Sequence, residues 1–125
     1  MDNENYKLID DEIFNQLLDI EEDDSKDFTR GLVQDFFQQV DESIVQFKEL
    51  LDDSKVIEAG KLGHYLKGSS AMIGVTKVKD VCEDIQMWQQ KVGTTKDAVD
   101  YIREKVELLK IEIERVKPEL YKRVN

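Results

Sequence analysis

The fold of this chain is decided by residues 25–52, which read SKDFTRGLVQDFFQQVDESIVQFKELLD. Apolar side chains recur there at every third or fourth position, a spacing that places them on one face of an α-helix. They are Phe28, Leu32, Phe36, Val40, Ile44, Phe47 and Leu51, with Val33 and Phe37 broadening the stripe. The segment is therefore predicted to be one long helix that buries this face in a core.

The same spacing recurs along the rest of the chain and predicts four further helices. We expect them at about residues 10–20, 55–73, 76–92 and 96–123, with residues 1–9 as a loose arm. The first is too short to be stable alone and must dock on the others. Four long amphipathic helices with short links predict an all-α fold, an antiparallel up-down-up-down four-helix bundle with the short N-terminal helix as a lid. We expect residues 1–125 to form a single domain.

Composition and charge exclude several classes of function. The chain has 125 residues and a formal net charge of −10, which argues against a nucleic-acid partner. Its apolar runs are far shorter than the roughly eighteen residues of a membrane-spanning helix, so we expect no membrane insertion. One Cys and one His do not make a structural metal site, so we expect no bound metal. The lone cysteine favours a reducing compartment, and we expect a monomer in the cytoplasm, with the nucleus as a second location.

Against this acidic background, residues 59–79 carry four lysines, the single histidine and no acidic side chain. Residues 59–74 read AGKLGHYLKGSSAMIG, and each interior glycine costs a helix about 0.5–1 kcal/mol relative to alanine. On a helical wheel His64 lies almost opposite the apolar stripe, which is formed by Ala59, Leu62, Leu66 and Ile73.

The wheel distinguishes three interpretations of His64. A hydrogen-bonded core histidine conflicts with its outward position, and an idle surface histidine leaves the glycines unexplained. An exposed imidazole nucleophile accounts for the pattern, because Gly68 one turn on gives steric clearance and Lys67 supplies a cation.

The sequence HYLKGSSAMIG, residues 64–74, resembles the active-site helix of histidine-containing phosphotransfer (HPt) domains. It is most similar to the stand-alone yeast-type phosphorelay intermediates, and the likeness extends to residues 13–37 and to VCEDIQ at 81–86. One departure is a short turn at residues 93–95, where some fungal members carry a longer insertion.

This resemblance implies a phosphorelay intermediate without kinase activity. His64 would accept a phosphoryl group from a receiver-domain aspartyl phosphate of a hybrid sensor histidine kinase and pass it to the aspartate of a response regulator. Lys67 would stabilise the phosphoryl oxygens, and Gln86 would orient the imidazole unless it is only a half-buried polar residue. Ser69 is left open between the site and a bond to its own helix. The chain would bind no cofactor, and the receiver would supply Mg²⁺.

Partner docking is predicted from apolar residues beside His64. The short first helix has more apolar surface than a lid needs, and with neighbouring side chains it could form an exposed patch. The predicted patch residues are Ile13, Phe14, Leu17, Ile20, Phe28, Leu32 and Tyr65. Ordinary core packing is the alternative for each of them, and it is the interpretation adopted for Cys82, Met87 and Trp88.

Two other functions compete with the relay. A helical adaptor would bind its partners equally well with His64 replaced. The dimerisation and phosphoacceptor domain of a sensor kinase usually has an acid after the histidine, where this chain has Tyr65. A small-molecule enzyme is disfavoured because no second acid, base or nucleophile accompanies His64.

Overall fold

The computed structural model describes residues 7–21 and 23–125, and in these ranges it contains helices and no β-strand. The helices are α1 (Asp11–Ile20), α2 (Asp27–Asp52), α3 (Val56–Ile73), α4 (Thr76–Gln86) and α5 (Thr95–Val124), and a 3₁₀ turn (Trp88–Gln90) follows α4. The predicted all-α fold is therefore confirmed. Residues 1–6 of the predicted arm lie outside the described residues. The prediction of a loose arm is wrong at Ile9, which is 3% exposed and packs in the core.

The four long helices form a bundle in which each packs on at least two others. Helices α2 and α4 both contact α3 and α5, so neighbours in sequence are neighbours in space. The interior is filled by fully buried apolar side chains from all four helices and the lid; the largest are Phe14, Phe47, Leu66, Ile85, Ile102, Leu109 and Leu120. No helix in the described ranges is long and apolar enough to span a membrane.

Helix α1 closes one end of this bundle. The Asp10 backbone N–H donates to the Gly74 carbonyl at the end of α3, at 2.7 Å. The Thr29 hydroxyl near the start of α2 donates to the Leu17 carbonyl at 3.5 Å. Near the end of α5, Arg123 pairs with Asp11 at 2.6 Å. One end of the molecule thus gathers the start of α2 with the ends of α3 and α5, which is the up-down-up-down arrangement.

The prediction that the fourth helix continues to residue 92 is wrong, because α4 ends at Gln86. The backbone hydrogen bonds then join residues three apart, as in a 3₁₀ helix, and not four apart. They run from Gln90 N–H to the Met87 carbonyl and from Lys91 N–H to the Trp88 carbonyl. This turn places the Trp88 indole against Gly60 of α3. The change of direction therefore brings an aromatic side chain to the helix that carries His64.

Candidate functional site

Helix α3 presents a broader buried face than the helical wheel indicated. Its buried residues are Val56, Ala59, Gly60, Gly63, Leu66, Ser70 and Ile73. Two of the three glycines therefore belong to the interior. His64 lies to one side of the buried face and is exposed, as the wheel predicted, although it is not diametrically opposite the core.

Gly60 and Gly63 allow α3 to approach α4 closely. A Cβ on Gly63 would lie 2.8 Å from Ile85 Cγ2, closer than real Cβ atoms come, and 3.0 Å from the Cys82 carbonyl oxygen, which is tighter than most real contacts. A Cβ on Gly60 would lie 3.0 Å from Trp88 Nε1. The interpretation that all three glycines serve the exposed face is therefore wrong for these two, which are required by packing.

Gly68 differs from both. It is exposed, and a Cβ built on it would meet nothing within 4 Å. No packing contact in the described chain accounts for a glycine in this helix interior.

The outer face of α3 is a continuous stripe that passes through His64. Its exposed members are Ile57, Lys61, the adjacent pair His64 and Tyr65, Gly68 and Met72, at intervals of three or four residues, and exposed Glu58 borders it. The stripe is apolar at both ends and carries lysine, histidine, tyrosine and glycine between them. We refer to it as the outer stripe.

A shallow groove lies beside His64 where α3 meets the end of α4. Its lining residues are Ile57, Gly60, Lys61, His64, Gln86, Trp88 and Gln89. We call it the His64 groove. Its lining contains one basic residue, Lys61, and no acidic residue.

Gln86 is the last residue of α4, and it reaches this groove because the glycines of α3 let α4 come close. Its Oε1 atom is the one buried side-chain oxygen or nitrogen in the described chain without a hydrogen-bond partner. An unsatisfied buried acceptor costs about 1–3 kcal/mol, so an unpaired oxygen on a residue that lines the same groove as His64 calls for an explanation.

Lys67 points toward α4 and not freely into solvent. Its Nζ lies 3.4 Å from Glu83 Oε1, and the two side chains are 33% and 50% exposed. Sequence analysis missed Glu83. A signal was available in the sequence, because Glu83 lies three residues before Gln86 and so on the same face of α4.

Ser69 serves its own helix and α2. Its hydroxyl lies 3.4 Å from the Tyr65 carbonyl oxygen, to which it donates, and it accepts from Gln39 Nε2 of α2 at 3.0 Å. One described partner is thus in α3 and the other in α2, and Ser69 does not line the groove. The bond to the Tyr65 carbonyl is the bond to its own helix that was one of the two alternatives for Ser69.

The predicted docking residues fall into three groups. Ile20, Phe28 and Tyr65 are 62%, 51% and 60% exposed. Ile13 and Leu32 are half-buried. Phe14 and Leu17 are 0% and 8% exposed, so their prediction as surface residues is wrong: they are the side chains through which α1 attaches to the bundle.

Met72 belongs with the exposed group and was missed. It is 64% exposed and lines a hollow between α2 and α3 together with Leu32. The spacing from Tyr65 to Met72, two helical turns, was the available signal. We call the exposed residues Ile20, Phe28, Tyr65 and Met72, with half-buried Leu32, the docking patch.

Other candidate chemistry is absent from the described residues. No group of three or more His, Cys, Asp or Glu side chains there could hold a metal ion. The Cys82 thiol is buried, and burial raises its pKa to about 12, an effect that a hydrogen bond with Ser70 partly opposes. It therefore carries almost no thiolate near neutral pH.

Known proteins resemble this chain in sequence. The Hpt domain family matches residues 31–118. Multistep phosphorelay regulator 1 of Schizosaccharomyces pombe is 40% identical over 80 residues, 64% of this chain and 27% of that protein. The phosphorelay intermediate protein YPD1 of Saccharomyces cerevisiae is 40% identical over 81 residues, 64% of this chain and 48% of that protein. The matches thus span about a quarter and about half of these two relatives.

A solved structure agrees over nearly the whole chain. The Saccharomyces cerevisiae histidine phosphotransfer signaling protein Ypd1, crystallised with the receiver domain of its downstream response regulator Ssk1, superposes with a TM-score of 0.85. The superposition covers 93% of each chain at 26% sequence identity. The likeness in fold therefore extends beyond residues 31–118, which the Hpt family matches.

Proposed function

Because the chain belongs to the Hpt domain family, we propose that it is a phosphorelay intermediate of two-component signalling. In this proposal His64 accepts a phosphoryl group from a receiver-domain aspartyl phosphate of a hybrid sensor histidine kinase and passes it to the aspartate of a response regulator. The observation that carries the proposal is an exposed His64 on a stripe where Gly68 leaves open space one turn away.

The chemistry requires one unprotonated ring nitrogen. Its lone pair attacks the phosphorus of the aspartyl phosphate, an N–P bond forms, and the P–O bond to the carboxylate breaks, so the carboxylate leaves with the electron pair. The second transfer reverses these changes on another aspartate. Neutral imidazole is abundant near neutral pH, which suits a nucleophile that must be reused.

Gln86 would fix the orientation of the ring. Its buried Oε1 can accept a hydrogen bond but not donate one, so it fits the N–H of the ring nitrogen that does not react. Such a bond would hold the imidazole in one tautomer, with the nucleophilic nitrogen facing the partner. It would also satisfy an acceptor that is otherwise left alone.

Lys67 would stabilise the charge of the transferred group. Its pair with Glu83 is partly exposed, and pairs of that kind contribute about 0–1 kcal/mol. Turning the ammonium from the carboxylate to a phosphoryl group is therefore inexpensive. The ammonium would then contact the phosphoryl oxygens during transfer, and this interaction would lower the energy of the transition state.

The partner would complete the site. The receiver would bring the reacting aspartate and bind Mg²⁺. It would dock on the docking patch, whose exposed side chains include Tyr65, the residue that follows His64. The chain itself would act as a monomer, without cofactor or kinase activity. The single buried Cys82 supports a reducing location, the cytoplasm with the nucleus as a second compartment.

The test uses a receiver domain carrying radiolabelled aspartyl phosphate, incubated with this chain and Mg²⁺. We expect label on this chain that is labile in acid and stable in base, and none on His64→Gln. The chain has one histidine, so no second imidazole can take the label. Unchanged labelling of His64→Gln would refute the proposal. Receiver binding without labelling of the wild type would favour an adaptor.

A further inference from the structure

A second apolar surface lies next to His64, on the side away from α2. Ile57, on the outer stripe of α3, is 57% exposed and lies seven residues before His64, which places it on the same helix face. Trp88 is half-buried, and it lines the His64 groove together with Ile57. We call this pair the Ile57–Trp88 shelf.

The shelf has a fixed position. The Trp88 indole lies against Gly60, where a Cβ would come within 3.0 Å of Nε1 and 3.2 Å of Cδ1. The glycine therefore accommodates the ring, at the usual helix penalty of about 0.5–1 kcal/mol. The closeness of α3 and the 3₁₀ turn keeps the aromatic side chain beside the phosphoacceptor helix.

The shelf is continuous with the proposed receiver interface. Along the outer stripe, Ile57 stands on one side of His64, and Tyr65 and Met72 of the docking patch stand on the other. A receiver whose aspartate reaches the imidazole must cover the surface around it on both sides. The charge also fits, since Lys61 is exposed in the groove, no acid lines it, and the partner presents a carboxylate.

We propose that the Ile57–Trp88 shelf is a second docking contact for the receiver domain, which places an apolar side chain from beside its phosphorylatable aspartate against Ile57 and the indole. This inference rests on the proposed function and extends it. The docking patch and the shelf together grip the receiver on either side of His64. The rate of transfer from a receiver then depends on the shelf, because the shelf positions the partner. The reactivity of the imidazole itself does not depend on the shelf.

Ile57→Gln tests the shelf, and Ile111→Gln is its matched control. Ile111 of α5 is 55% exposed, against 57% for Ile57, and it lines neither the groove nor the docking patch. Both changes remove an exposed apolar side chain without adding charge, and glutamine is a good helix former. We expect receiver binding to weaken about tenfold for Ile57→Gln and to stay within twofold for Ile111→Gln.

A small phosphoryl donor separates docking from chemistry. Phosphoramidate needs no docking surface, because imidazole attack on its phosphorus releases only ammonia. We expect Ile57→Gln to accept phosphoryl from phosphoramidate at the wild-type rate but slowly from the receiver. Equal receiver binding by Ile57→Gln and Ile111→Gln would overturn the shelf. So would an equal loss of both phosphorylation reactions, which would mean that Ile57 supports the imidazole itself.

Trp88 supplies a direct readout because it is the only tryptophan in the chain. Binding of a receiver that has no tryptophan should change the fluorescence emission of Trp88. The receiver concentration at the midpoint of this change should equal the dissociation constant. An unchanged emission at saturating receiver would overturn the contact with the indole. If the Trp88 emission instead changed with the concentration of this chain alone, the shelf would bind a second copy of the chain, and the proposed receiver contact would be overturned. If the wild type accepts no phosphoryl from any receiver, the proposed function fails, whatever the shelf variants do.

Discussion

Replacing Gly68 by glutamine should raise stability and reduce transfer, and these opposite signs test the role of His64 most sharply. The added side chain enters open space, since a Cβ there meets nothing within 4 Å. No packing is lost, and the helix interior gains at most about 0.5–1 kcal/mol in propensity, the difference between glycine and alanine. For a chain of this size that gain corresponds to a rise of about 2–4 °C in melting temperature.

The same side chain stands one turn from His64 on the outer stripe, where a receiver must approach. We expect transfer from a phosphorylated receiver to slow at least tenfold, with phosphoramidate labelling of His64 preserved. Gly31→Gln gives the stability reference, because Gly31 in α2 is equally free of neighbours within 4 Å. Rapid transfer to the Gly68 variant would refute the reasoning, and so would a lower melting temperature, which would show that the glycine serves packing.

Four further predictions follow from the remaining contacts. Gly63→Ala should lower the free energy of unfolding in urea by about 1–3 kcal/mol, because its Cβ would overlap α4. Lys67→Ala should slow phosphoryl transfer in rapid-quench assays while calorimetry shows unchanged receiver binding. Ile20→Asp should weaken receiver binding by more than about 1 kcal/mol with the helical circular dichroism intact, whereas Leu17→Asp should unfold α1 from the bundle. Cys82 should react with a thiol reagent at pH 8 only as fast as the protein unfolds, since burial raises its pKa to about 12; rapid labelling of the native protein would contradict this.

The sequence predicted the helices because their apolar period is strong and local. It predicted His64 as exposed for the same reason, since one wheel shows which side of a helix is apolar. The same wheel could not assign Gly60 and Gly63, because their neighbours come from α4 and the 3₁₀ turn. The spacing of apolar residues within one helix does not show which residues of a distant element will contact it.

The first helix shows a second limit of the same kind. Its apolar face was evident, but the period does not say how deeply a short helix settles on the bundle. Phe14 and Leu17 became core, while Ile20, three residues beyond Leu17, stayed at the surface. The end of α4 at Gln86 was missed because Met87 and Trp88 continue an acceptable helical pattern. The Trp88 indole packs on Gly60, which lies 28 positions earlier in the sequence, so the local pattern does not show this contact.

The bond between Asp10 and Gly74 has a consequence for the entropy of partner binding. Gly74 ends α3 in the left-handed region, at φ 87°, and a Cβ on it would press on Ile13 at 3.2 Å. The lid is thereby held in register with the helix that carries His64, and the side chains of α1 keep a set distance from the imidazole. A partner that touches both meets a preassembled template and loses no free energy to ordering the lid. Disrupting the hydrogen bond between Asp10 and Gly74 should weaken docking, although no residue that the partner touches is changed.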